Sequence, residues 1–119
     1  MLETAAEFFA EQGFAAASTA ELAARCGVSK ALLFHYYAGK EAILFDLLDG
    51  YTRHLLQLAR EVQACGRGKA RLHALIRAFL EAYATSRARH IVLLNDVKHL
   101  APKQRQTILD HERVLVTIF

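Results

Sequence analysis

The chain has 119 residues, enough for one small domain or for a short head and part of a body. Hydrophobic residues make up 54% of it, well above the level of a disordered chain, and the helix formers alanine and leucine recur throughout. Few segments alternate like a β-strand, and no apolar stretch approaches the roughly 20 residues that span a bilayer. The sequence therefore predicts an all-α, cytoplasmic protein that does not contact a membrane.

The net charge of +3 is unevenly distributed. Residues 1–41 carry three basic and five acidic side chains, whereas the remainder carries twelve basic and seven acidic ones. The first part is therefore not basic, so a nucleic-acid interface there would depend on where particular residues lie. The two cysteines, Cys26 and Cys65, have neither the spacing of a metal site nor a disulfide pattern, and we expect Cys26 to be a buried thiol.

Three short helices are predicted in the first 37 residues. The first covers Leu2–Gln12 and ends at Gly13, which suits a left-handed C-cap, while Phe14 packs back as an anchor. The second begins at Ser18-Thr19, where Ser18 and Glu21 have the spacing of a capping box. Ser29 caps the third helix, which runs from about Lys30 to Tyr37.

The turn between the second and third helices is Cys26-Gly27-Val28-Ser29. A turn with glycine lets the third helix leave the second at a steep angle, as in a helix-turn-helix. Such a third helix fits the major groove of DNA while the second lies across the backbone. The three helices therefore predict a DNA-binding head.

Four longer helices are predicted after the head, with apolar residues at helical spacing and a glycine-rich loop at Ala64–Gly68. The apolar pattern continues to Phe119 without a cap or a glycine, so we expect further helical residues beyond it. The division is a head over residues 1–45 and a partial body over 46–119. The predicted helices of the body run from Lys40 to about Gln63, Lys69 to Ser86, Arg89 to His99, and from Pro102 onward.

The first 48 residues resemble the TetR family of bacterial transcriptional regulators. The resemblance rests on an ordered string of short motifs at the spacing of that family: Ala5–Phe9, Gly13-Phe14, Ser18-Thr19, Leu22-Ala23, Gly27–Lys30, Leu33–Tyr37 and Lys40-Glu41. It implies a repressor that binds a palindromic operator as a homodimer and is released by a small-molecule effector. It implies no catalytic activity and no cofactor.

On this resemblance, the residues expected to face DNA lie on the second and third helices and at the start of the fourth. Thr19, Tyr36 and Lys40 would contact phosphates, and Lys30 a phosphate or a guanine edge. Leu32 would either meet a thymine methyl group or pack sideways against a neighbouring helix. Val28, Leu33 and Tyr37 would face the core. The full set expected at DNA is Thr19, Lys30, Ala31, Leu32, His35, Tyr36 and Lys40.

A basic cluster beside an apolar run marks the candidate effector site in the body. Arg87, Arg89 and His90 precede the apolar residues Ile91–Leu94, and Leu94 would contribute to the floor of a pocket. An apolar floor with a basic mouth suits an amphiphilic anion. Fatty acyl-CoA esters are effectors of several members of the family, and Val92–Lys98 resembles that branch.

Other functions are less well supported by the spacing of reactive residues. His90 and His99 are nine residues apart and His111 and Glu112 are adjacent, so neither pair shares a helix face as metal ligands would. No triad or paired carboxylates stand out, and we do not expect an enzyme. The alternatives left open are a DNA-binding module without an effector and a helical bundle that binds other proteins.

Overall fold

Seven α-helices follow one another through residues 2–64 and 68–118, which are the residues that the computed structural model describes, and no strand occurs among them. The all-α prediction is confirmed. The helices are α1 (Leu2–Gln12), α2 (Thr19–Arg25), α3 (Lys30–Tyr36), α4 (Lys40–Ala64), α5 (Gly68–Thr85), α6 (Arg87–Asp96) and α7 (Pro102–Ile118), with a 3₁₀ turn at Val97–His99.

Helices α2 and α3 of the head begin at serine caps, as predicted. The Ser18 hydroxyl accepts a hydrogen bond from the Glu21 amide at 3.4 Å, and the Ser29 hydroxyl accepts one from the Leu32 amide at 3.0 Å. Each cap satisfies an amide that has no partner within its helix, which stabilises a short helix by about 1 kcal/mol. Gly13, after α1, and Gly27, between α2 and α3, have φ angles of 78° and 71°. Glycine adopts this left-handed region without steric cost, so the two turns occur at these residues.

Both ends of α6 differ from the sequence prediction by more than one residue. α6 begins at Arg87, because Ser86 takes the N-cap position and its carbonyl accepts from the His90 amide. α6 ends at Asp96, where the chain tightens into the 3₁₀ turn and the Asp96 side chain is buried. The predicted loop at Ala64–Gly68 falls largely on residues 65–67, which lie outside the described residues, as does Cys65.

The 25-residue helix α4 crosses from the head into the body. Its first turns bury Ile43, Leu44 and Leu47 with the head residues Phe9 and Leu33, and its later turns bury Leu55 and Ala59 in the body, as part of one core. α4 packs against α5, α6 and α7, while α1 packs against α6. The head is therefore attached to the body along α4 and across the contact between α1 and α6.

A buried polar contact joins α4 to α7. The Thr52 hydroxyl is fully buried, lies 2.9 Å from the Leu48 carbonyl and is 2.7 Å from Nδ1 of His111. Asp49, one turn earlier, pairs with Arg53 at 3.1 Å and lies 3.8 Å from the same ring nitrogen. These contacts satisfy the buried hydroxyl and fix the position of α7 along α4. None of the helices in the described ranges is long and apolar enough to cross a membrane.

Candidate nucleic-acid interface and effector cavity

Helix α3 is anchored on one side and open on the other. Leu33 is fully buried in the core, and Val28 and Tyr37 are partly buried against it, in the positions that the sequence predicts. The Tyr37 hydroxyl donates to Oδ2 of Asp46 on α4 at 2.6 Å. Burial, followed by the hydrogen bond and the charge of Asp46, raises the pKa of Tyr37 to about 12. The C-terminal end of α3 is therefore tied to α4.

Every residue of α3 other than Leu33 is exposed. Tyr36 is 65% exposed and its ring meets the His35 ring edge to face, with the centroids 5.4 Å apart. Leu32 is 41% exposed, so the structure leaves it accessible from outside the head. The ammonium of Lys30 lies 5.8 Å from the centre of the Phe34 ring. The outer face of α3 thus combines one cation and two aromatic polar side chains with apolar groups.

Thr19 and Lys40 lie on other elements, and their surroundings differ. Thr19 is the first residue of α2, which packs against α3, and it is half-buried. The Lys40 ammonium donates to the carbonyls of Phe14, Ala15 and Ala17 at 2.9, 3.3 and 3.2 Å. An ammonium has three N–H donors, so all of them have acceptors within the protein. A phosphate contact by Lys40 would require at least one of these carbonyls to be released, and it stays a prediction.

The four residues predicted at the effector site lie in different places. Arg87 and Arg89 line a cleft of about 380 Å³ between α6 and the acidic face of α1. His90 lines a separate cavity between α4, α5 and α6. Leu94 is 68% exposed and borders a third cleft, beside the turn that follows α1. Only part of the predicted set can therefore contact any one bound molecule.

The cavity at His90 has a volume of about 310 Å³ and largely apolar walls. Nδ1 of His90 is 3.1 Å from the Tyr51 hydroxyl, and the Tyr83 ring meets the imidazole edge to face at 5.0 Å. Burial raises the pKa of Tyr51, and so does Tyr83, whereas the charge of Arg89 lowers it. The residues around the cavity are Tyr51, Leu55, Ile76, Phe79, Leu80, Tyr83 and His90.

Most of the residues around this cavity are not distinguished by the sequence, because they have the spacing of an ordinary apolar helix face. On α5, Ile76, Leu80 and Tyr83 follow that spacing but are all exposed. On α7, burial raises the pKa of Glu112, whereas the charge of His90 lowers it. In the described part of the chain, no three His, Cys, Asp or Glu side chains are placed to hold a metal ion.

Comparison with known proteins places both parts of the chain in one family. The family model described as "Bacterial regulatory proteins, tetR family" matches residues 1–47, and the model described as "Tetracyclin repressor-like, C-terminal domain" matches residues 65–119. Among curated proteins, the HTH-type transcriptional repressor KstR2 of Rhodococcus jostii is 32% identical over 110 residues, which are 92% of this chain and 54% of KstR2. The chain thus spans about half the length of the curated relatives that it matches over most of its own length.

Solved structures agree with the sequence matches. A TetR-family transcriptional regulator from Bordetella parapertussis 12822 superposes with a TM-score of 0.94 at 37% identity, over 98% of this chain and 62% of that one. AibR, solved in complex with isovaleryl coenzyme A and operator DNA, superposes with a TM-score of 0.86 at 27% identity, over 98% of this chain and 64% of its own. The arrangement of the seven helices is therefore shared with these regulators.

Proposed function

Because the chain belongs to the TetR family of bacterial transcriptional regulators, we propose that the protein represses transcription in the cytoplasm. It binds a palindromic operator as a homodimer and leaves the DNA when a small molecule binds its body. Two heads are needed because the half-sites of such an operator lie about one helical turn apart, roughly 34–36 Å, in successive major grooves.

The observation that carries this proposal is the outward face of α3. A capped helix, fixed to the core by Leu33, presents only side chains that can contact DNA. Lys30 reaches a phosphate or a guanine edge, the Tyr36 hydroxyl donates to a phosphate, and Leu32 meets a thymine methyl group. Ala31 allows close approach, and His35 offers a ring nitrogen. Thr19 contributes its hydroxyl from α2.

DNA binding by the head depends on where its individual basic side chains lie, because the head carries more acidic than basic residues. The acidic side chains Glu3, Glu7 and Glu11 are all exposed on α1. Glu11 is paired with Arg25 at 3.0 Å. We therefore expect few phosphate contacts for each head and a correspondingly shallow dependence of the operator affinity on salt.

The DNA-binding proposal is tested with an operator selected from random DNA by the full-length wild-type protein. Lys30→Met is compared with Lys103→Met, because both lysines are exposed and both changes remove one positive charge. We expect Lys30→Met to weaken operator binding about 10-fold or more, and Lys103→Met to leave it unchanged. Equal losses would mean that only net charge matters. Failure of the wild type to enrich any sequence would contradict the proposal.

The effector is proposed to place a small apolar group in the cavity between α4, α5 and α6. A volume of about 310 Å³ lies at the lower end of ligand cavities and suits a short acyl chain. The Tyr51 and His90 pair provides the polar contact, and the charge of Arg89 is close enough to act on Tyr51. These features support an amphiphilic anion such as an acyl-CoA, the class of molecule with which AibR was solved.

The effector proposal is tested by titrating the full-length protein with isovaleryl-CoA and with free coenzyme A in a calorimeter. Leu80→Trp places a larger side chain against the cavity, and Leu94→Trp makes the same change at an equally exposed position of α6 outside it. We expect binding of the acyl-CoA to be lost in Leu80→Trp and retained in Leu94→Trp. The absence of heat with the wild type would exclude short acyl-CoAs, and equal binding by both variants would exclude this cavity.

A further inference from the structure

The turn between α1 and α2, residues 13–17, is held both by the body and by the start of α4. Its second residue is Phe14, which is buried. The Phe14 ring meets the Phe9 ring edge to face, with the centroids 5.3 Å apart. This turn, called the α1–α2 turn below, leads directly through Ser18 into α2, which packs against α3. The turn is therefore connected through α2 to α3, the helix proposed to read DNA.

The contact from the body comes from Asp96, the last residue of α6. The residue is only 5% exposed, and Oδ1 of its carboxylate accepts a hydrogen bond from the Phe14 amide at 3.4 Å. Nε2 of His99 lies 3.9 Å from the same oxygen, and the His99 ring lies 5.3 Å from the Phe14 ring. A buried carboxylate is costly unless it is hydrogen-bonded or paired. A role in packing alone would be served better by an apolar residue.

The contact from α4 comes from Lys40, on carbonyls of the same turn. Besides its three hydrogen bonds, its ammonium lies 4.5 Å from the centre of the Phe14 ring. The Asp96 carboxylate accepts from the Phe14 amide, and the Lys40 ammonium donates to the Phe14 carbonyl. Each hydrogen bond has one charged partner, so both are charge-assisted.

We infer that Asp96 is a positioning residue for DNA reading. Its carboxylate holds the α1–α2 turn against the body and thereby sets the angle at which each head leaves the dimer. This inference rests on the proposed DNA-binding function. Asp96 itself contacts no DNA, because it is buried at the junction. His90 at the effector cavity is six residues earlier on the same helix, about 9 Å along its axis, so a displacement of α6 reaches the turn through this carboxylate.

The inference is tested with two variants of Asp96 and one control in the full-length protein. Asp96→Asn keeps an oxygen that can accept from the Phe14 amide, and Asp96→Leu removes the acceptor while keeping the number and branching of the side-chain heavy atoms. Asn95→Leu introduces the same side chain at the exposed neighbouring residue. For each protein, hydrogen exchange of the Phe14 amide is measured by NMR. Affinity is measured for the selected operator and for a single half-site.

We expect Asp96→Leu to speed exchange of the Phe14 amide and to weaken operator binding about 5- to 30-fold, because one hydrogen bond to a charged group is lost. Binding to the half-site should be unchanged, since one head needs no fixed angle. Asp96→Asn should fall between Asp96→Leu and the wild type, because its amide oxygen still accepts but carries no charge. Asn95→Leu should behave like the wild type.

Three results would overturn the inference. Unchanged Phe14 exchange in Asp96→Leu would show that the carboxylate does not hold the turn. Equal loss of operator and half-site binding would indicate a damaged head, and faster exchange with full operator affinity would show that the turn does not set the head angle. If the wild type selects no operator, the proposed function fails. The exchange measurement still decides whether Asp96 holds the turn.

Discussion

Lys40→Met separates two roles of this lysine, a support of the α1–α2 turn and a contact to phosphate. Methionine keeps most of the unbranched stem of lysine but removes the ammonium and its three hydrogen bonds. Ala15 is exposed, so its carbonyl turns to water at little cost. The carbonyls of Phe14 and Ala17 belong to buried residues and lose a charged donor. A hydrogen bond to a charged group contributes about 1.5–3 kcal/mol, and two such bonds are lost at a half-buried ammonium. We therefore expect the free energy of unfolding to fall by about 2–4 kcal/mol.

The assay is a titration of the selected operator at several salt concentrations between about 50 and 200 mM. Each phosphate neutralised by a protein cation contributes about 0.9 to the slope of log affinity against log salt. If one phosphate contact is lost in each head, the decrease in affinity between the lowest and the highest salt concentration becomes about 3- to 4-fold smaller for each head. Because the Lys40 donors are occupied within the protein, we expect the operator affinity of Lys40→Met to fall without a change in this slope.

The reasoning is refuted if the slope of Lys40→Met becomes shallower by about 0.9 for each head while its free energy of unfolding is unchanged. Lys40 would then be a phosphate ligand that leaves the turn when DNA binds. Lys103→Met is the control, because it removes the same charge from the exposed surface of α7. It should alter neither the slope nor the stability.

Three further predictions concern the elements that hold α3 in place. Leu33→Ala should lower the free energy of unfolding by about 2–5 kcal/mol, measured by urea denaturation, because it leaves a cavity in the core; a smaller loss would mean that the core collapses around it. Ser29→Ala should cost about 1 kcal/mol through the lost cap, whereas Ser29→Asp should restore it. The folded-state pKa of Tyr37 lies above its unfolded value, so its contribution to stability is complete below about pH 10 and is lost as the pH rises towards 12. Thermal unfolding followed over that range should show a smaller loss for Tyr37→Phe, and an equal loss would exclude the ionisation of Tyr37 as its source.

The head could be predicted from the sequence because its boundaries are set locally. Ser18, Ser29 and Gly13 each act within a few residues of their own position, through a cap or a left-handed φ angle. The predicted bounds of α1 are those of the structure, and α3 ends one residue earlier than predicted. Tyr37 leaves the helix as an extended residue while its hydroxyl bonds Asp46, a tertiary contact that local signals do not contain.

The cavity at His90 could not be predicted in the same way, because it depends on which faces of three helices meet. The sequence grouped Arg87, Arg89, His90 and Leu94 by proximity along the chain, whereas the fold distributes them among three clefts. The cavity instead brings His90 to Tyr51, 39 residues earlier. The surroundings of Lys40 escaped prediction for the same reason, since its acceptors lie 23 to 26 residues away.

Helix α6 contacts both the cavity proposed for the effector and the head proposed to read DNA. Its middle contributes His90 to the cavity, while its end contributes Asp96 to the α1–α2 turn. α4 also reaches both parts, but it is fixed by a long buried face and by its contact with α7. α6 has ten residues, is followed by a tight turn and packs against α1 in the head. If the proposed effector binds beside His90, a displacement of α6 would reach the head through this packing and through Asp96. The full operator, which requires both heads at once, would then be more sensitive to the resulting change in head angle than a half-site.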